Sequence, residues 1–77
     1  METQEITEVL TCNPEAYDIP NEGSPLSRWR QTRKALQYHL EMAGKNVVRM
    51  KAPKGELKRI AANFPDGLMR FEVHFRD

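Results

Sequence analysis

With 77 residues, one Trp, three Phe and 39% hydrophobic content, the chain has material for one small domain with a core of about a dozen side chains. A lone cysteine, Cys12, excludes an internal disulfide framework, and no apolar run approaches the roughly 20 residues that a membrane helix needs. The formal net charge of +1 excludes a uniformly polyanionic or polycationic chain, but the charges are unevenly placed.

Residues 1–23 carry Glu2, Glu5, Glu8, Glu15, Asp18 and Glu22 with no Lys or Arg, a charge of −6. All twelve basic residues lie from Arg28 onward and face five carboxylates there, leaving +7. Such asymmetry implies either a polyanionic partner or an acidic arm folded against a basic body. The expected organisation is an acidic arm or loop over 1–23, containing a short strand at 5–11, and a basic α-β-α-β body over 24–77. The N-terminus lacks the basic-then-apolar pattern of a signal peptide, so the expected location is the cytoplasm.

In residues 1–12, Ile6, Val9 and Leu10 fit a short helical stripe, while the β-branched content of 6–11 favours a strand. Asn13-Pro14 and Ile19-Pro20-Asn21-Glu22-Gly23 read as loop, with Ala16, Tyr17 and Ile19 tacking it to the body. Ser24 as N-cap and Pro25 at the first helical position predict a helix over 24–43 that ends at Gly44. Its inward stripe is Leu26, Trp29, Leu36, Leu40 and Ala43, with Arg28 and Arg33 bordering it and their heads in water.

Residues 46–52 predict a strand with Val48, Met50 and Ala52 inward and Val47, Arg49 and Lys51 outward. Pro53 can open a second helix whose stripe is Leu57, Ile60, Ala61 and Phe64. Phe64-Pro65-Asp66-Gly67 is a turn in which Gly67 tolerates positive φ. From Met69 the alternation is unbroken: Met69, Phe71, Val73 and Phe75 on one side, Arg70, Glu72, His74 and Arg76 on the other. The compact link of 53–67 favours a parallel pairing of the last two strands, with an antiparallel pair as the alternative. The fold class expected is α+β: a small single domain with a two- or three-stranded open-faced sheet and two helices on one face, in the order β-α-β-α-β.

For function, the leading expectation is a small non-enzymatic nucleic-acid-binding or regulatory protein that contacts phosphates through a basic sheet face and helix. The residues expected to do so are Arg28, Arg30, Lys34, Arg49, Lys51, Arg70 and Arg76. Phe71 and Phe75 point inward, so backbone contact rather than base stacking is the form expected. The alternative is a protein-binding adaptor or inhibitor, of the accessory kind that phages and mobile elements encode. It would act through an open strand edge or the acidic arm, and homodimerisation through the same edge is a third option. No catalytic residue, metal ligand, cofactor, membrane contact or small-molecule substrate is expected. His39, His74 and Cys12 stand at no metal-ligand spacing, and the single glycines form no phosphate loop.

Overall fold

The computed structural model describes residues 4–76, so Glu2 of the acidic segment and Asp77 lie outside the described residues. Three strands and two helices alternate: β1 (Glu5–Cys12), α1 (Pro25–Met42), β2 (Asn46–Lys51), α2 (Glu56–Asn63) and β3 (Met69–Arg76). A single 3₁₀ turn, Pro14–Tyr17, follows β1. The architecture is the α+β open-faced sandwich that the period-two and period-3.6 segments imply, and the N-terminal segment resolves as a full strand.

β3, the most regular stretch of the sequence, is the centre of the sheet. The strand order is β1-β3-β2, with both neighbours antiparallel to β3. The parallel pairing favoured from the link length is therefore wrong: β2 ends and β3 begins at the same end of the sheet, Lys51 lying opposite Glu72, so the segment carrying α2 turns the chain back beside the strand it left.

The alternation in β3 builds the core. Met69, Phe71 and Val73 are fully buried and Phe75 nearly so. Trp29 of α1 stacks on Phe71, with ring centroids 5.2 Å apart, and Leu36 and Ile60 complete the buried cluster. Each such side chain contributes about 1.5–3 kcal/mol through removal from water. Ile6, Leu10 and Cys12 of β1 and Val47 and Met50 of β2 pack against it from the flanks.

α1 begins as its sequence predicts, with Ser24 Oγ accepting a hydrogen bond from the Ser27 amide at 3.1 Å. It ends with Gly44 at φ +87°, a conformation that disfavours any side chain. Its buried face is rotated from the apolar stripe. Leu26 is 41% exposed and Ala43 is exposed, whereas Arg28 and Thr32 are buried. α2 starts at Glu56 rather than Pro53, because Gly55 before it sits at φ +79°, outside the helical region. Its buried residues are Glu56 and Ile60, while Leu57 and Ala61 face out. Gly67 does not have positive φ; what a side chain would meet there is the Asn63 Cβ, 3.3 Å from an added Cβ, a tight contact that glycine avoids.

β2 holds the remaining surprise. Val47 lies opposite Phe75 and Arg49 opposite His74, which leaves Val48 as an extra, unpaired residue. This β-bulge turns Val47 inward and leaves Val48 39% exposed, the reverse of the simple alternation. Beyond the bulge, Arg49 and Lys51 face outward and Met50 inward, as expected.

Candidate functional site

The antiparallel register assembles the outer sheet face residue by residue. Down β3 run Arg70, Glu72, His74 and Arg76; opposite them on β2 are Lys51, facing Glu72, and Arg49, facing His74. On the other flank β1 supplies Thr11, Val9, Thr7 and Glu5 in that order. The fold thus brings Arg49, Lys51, Arg70 and Arg76 onto one face, but it also brings their counterions. Arg49 reaches Glu5 at 3.8 Å and Lys51 reaches Glu72 at 3.7 Å. Arg70 and Arg76, six residues apart on one strand, are separated by about 20 Å. The face is a mosaic of both signs rather than a continuous cationic track.

At its centre is His74, buried although it lies on the wet side. Its Nδ1 is 3.1 Å from Thr7 Oγ1 and 3.3 Å from Glu5 Oε1, and its Nε2 is 3.0 Å from Glu72 Oε1. The two carboxylates approach opposite ring nitrogens, so the ring ties β1 to β3, and the same carboxylates reach β2 through Arg49 and Lys51. The alternation places His74 on the polar side, and what encloses it there is a carboxylate at each ring nitrogen. Among the described residues, no group of three or more His, Cys, Asp or Glu is arranged to hold a metal ion.

Arg70 has a second role. Its backbone amide donates to Glu56 Oε1 at 3.1 Å and its Nε to Glu56 Oε2 at 2.6 Å. Glu56 is fully buried, and Arg59 also donates to it, at 3.3 Å and 2.5 Å. Burial pushes the Glu56 carboxyl up, but the hydrogen bonds from Arg59 and Arg70 outweigh it and hold the carboxyl below its ordinary value. β2 stops at Lys51, opposite Glu72, so β3 runs on without a neighbour on that side. The Glu56 carboxylate substitutes for the missing strand. No apolar pattern marks Glu56; the sequence signal for it was only an acidic residue at a helix start, with a cation three residues later.

The helix candidates separate. Arg28 is 1% exposed, so it is not the half-wet border residue expected, nor is it available to a phosphate. Its guanidinium donates to the Pro65 carbonyl and to Asn21 Oδ1 and lies 5.6 Å from the Phe64 ring centroid. It bolts the loop before α1 to the turn before β3. The Tyr17 ring lies against that of His39, tilted by 33° with centroids 4.9 Å apart, so the acidic loop runs along the flank of α1 that bears Arg28 and His39. Arg30 and Lys34 are exposed, and Arg30 projects about 160° round the helix from Arg28. They belong to the helix layer and share no face with Arg49 and Lys51. Arg33 is half-buried, its guanidinium 5.7 Å from the Trp29 ring centroid.

Cys12 is half-buried and unpaired, and burial pushes its thiol up to about 11, which works against thiolate chemistry. Among the described residues, no helix is long and apolar enough to cross a membrane.

The two sheet edges differ in kind. Because the Arg70 amide points to the β2 side, Arg70, Glu72 and His74 pair with β2, and Met69, Phe71, Val73 and Phe75 pair with β1. On β1 the residues that hydrogen-bond β3 are therefore Ile6, Glu8, Leu10 and Cys12. The amides and carbonyls of Glu5, Thr7, Val9 and Thr11 point to the open edge. β1 has no bulge, no proline and no cation over these eight residues. β2 has a bulge at Val48, Arg49 and Lys51 beside it and Pro53 just beyond, and between bulge and proline only Met50 presents a regular free backbone pair. No protein-family model, curated protein or solved structure matches this chain.

Proposed function

We propose that this chain is a small non-enzymatic binding protein, an adaptor or inhibitor, that takes a strand of a protein partner onto the edge of β1. The observation that carries the reading is the contrast between the edges. Native sheets blunt exposed edges with bulges and Lys, and β2 has both, at Val48 and Lys51, while β1 has neither; a proline follows each strand two residues on, Pro14 and Pro53. An edge of four alternating free backbone groups gives a partner strand affinity through main-chain hydrogen bonds and specificity through alternate side chains. A lone half-buried thiol suits the reducing cytoplasm, which is where we propose it works.

A second reading, phosphate contact with nucleic acid, is favoured by the exposed pair Arg30 and Lys34 on the side of α1 away from the acidic loop. The sheet-face cations add less to it, because Glu5, Glu72 and Glu56 already neutralise Arg49, Lys51 and Arg70.

One experiment separates the two. Tagged wild type, Val9→Pro and Arg30→Glu/Lys34→Glu proteins are used as bait in native lysate, with and without nuclease. The edge reading predicts one stoichiometric protein that survives nuclease and the helix charge reversal and is lost with Val9→Pro. Recovery of nucleic acid that vanishes with Arg30→Glu/Lys34→Glu and is indifferent to Val9→Pro would overturn it in favour of the second reading.

A further inference from the structure

Resting on the edge reading above, we propose that the occupant of the β1 edge is an extended segment carrying Lys or Arg opposite Glu8. Glu8 pairs with Val73, so it lies on the inner side of the sheet, between Ile6 and Leu10, where helices and core would call for an apolar residue. It is tolerated because β1 is an edge and its side chain reaches water. An inward charge on an edge strand guards against indiscriminate pairing, since a strand added there must enclose it. Enclosure opposite an apolar residue would strand a desolvated carboxylate, and opposite an acidic one would add repulsion. A cation neutralises it. The guard and the selector are the same side chain.

The register strengthens the case. Glu8 bonds its backbone to β3, so against an added strand it sits in a non-hydrogen-bonded pair, the kind in which opposed Cα atoms approach to about 4.5 Å and side chains meet most closely. Glu5, the other β1 carboxylate, is already engaged by Arg49 and His74, which leaves Glu8 as the charge that discriminates. On the outer side Thr7, Val9 and Thr11 ask for β-branched or hydroxyl residues, with Val9, 56% exposed, at the centre. A second copy of this chain does not meet these requirements. With matching faces in a two-fold antiparallel pairing, the residue of β1 opposite Glu8 would be Ile6, Glu8, Leu10 or Cys12 of the second copy, and β1 has no cation in any register.

The probe is a capped peptide, Thr-Ile-Val-Lys-Thr-Val-Thr, which places its Lys opposite Glu8 when it lies antiparallel to β1. It is titrated into the full chain and followed at the backbone amides, alongside versions with Glu or Leu in place of Lys and one N-methylated at the Val that faces Val9. The Lys peptide is expected to bind about fivefold more tightly than the Glu peptide, with the preference reversed in a folded Glu8→Lys variant and weakened by salt. Shifts should centre on Thr7, Val9 and Thr11, and N-methylation should abolish them. Equal binding of the Lys and Glu peptides, or tightest binding of the Leu peptide, would overturn the basic occupant and leave the open edge standing. Binding of no peptide, or indifference to N-methylation, would overturn both. A β1-mediated dimer that excludes the peptide would make the occupant a second copy and overturn the proposal.

Discussion

β1 and β2 flank the same central strand in the same antiparallel sense, and nearly everything else about them differs. β2 is interrupted at Val48, bordered by Arg49 and Lys51 and stopped by Pro53; where it falls short, Glu56 closes the side of β3 it leaves open. β1 pairs with β3 over its whole length and leaves its far side bare. A sheet of three strands must have two edges, and here one is closed by sequence devices while the other is guarded by a single inward carboxylate. The lesson is that an edge is read from what its sequence does to prevent pairing, as much as from its exposure.

A proline scan of β1 separates its paired side from its open side. Leu10 bonds its backbone to β3, so Leu10→Pro removes a ladder hydrogen bond and core packing, and should cost about 3 kcal/mol or more, enough to unfold a marginal domain. Val9 points its amide to the open edge, so Val9→Pro should cost no more than about 1 kcal/mol while blocking pairing. Thermal unfolding followed by circular dichroism measures both. Equal losses would mean that the two faces of β1 are not distinct.

On the other edge, Glu56→Ala should cost about 2 kcal/mol by stranding the Arg70 amide and two guanidinium groups; the partial exposure of Arg59 and Arg70, 36% and 44%, keeps the loss below that of a wholly buried pair. The pH dependence has a definite sign. Glu56 is held below its ordinary value, so its contribution is complete above the carboxylate range near about 4.3 and is lost as pH falls through the folded value. Denaturant titrations of wild type and Glu56→Gln should therefore show a wild-type advantage at pH 7 that shrinks in acid. An advantage that grows in acid would refute the role given to Glu56.

Deleting Val48 tests the bulge. The ladder on either side of it is already in phase, Val47 opposite Phe75 and Arg49 opposite His74, so the shortened strand should pair regularly and change stability by no more than about 1 kcal/mol. It should also gain concentration-dependent association by light scattering, because the device that blunts β2 is gone. The smallest effect belongs to the helix. Arg30→Glu/Lys34→Glu, on an exposed flank, should leave stability within about 0.5 kcal/mol of wild type in the same unfolding assay.

What the sequence made legible followed from local chemistry. The alternation from Met69 to Phe75 named the inward face of β3 without error, and Ser24, Pro25 and Gly44 framed α1 to within a residue. What it hid depends on residues far away. Arg28 is interior because a loop ending near Asn21 and a turn at Pro65 close over it, and its own helix gives no hint of either. Val47-Val48-Arg49 offers two equivalent valines, and only the pairing with Phe75 and His74 decides which is extra. The cationic face was legible as a list of residues, but its neutralisation was not, because Glu5 comes from the segment read as a separate acidic arm.

Residue-resolved amide hydrogen exchange with and without the Lys peptide distinguishes an open β1 from a closed β2. In the free protein, Ile6, Glu8, Leu10 and Cys12 should be protected while Thr7, Val9 and Thr11 exchange fast, and the peptide should slow exchange at those three alone. Uniform protection along free β1, or protection gained at β2 or α1 instead, would mean that β1 is not the open, pairing edge.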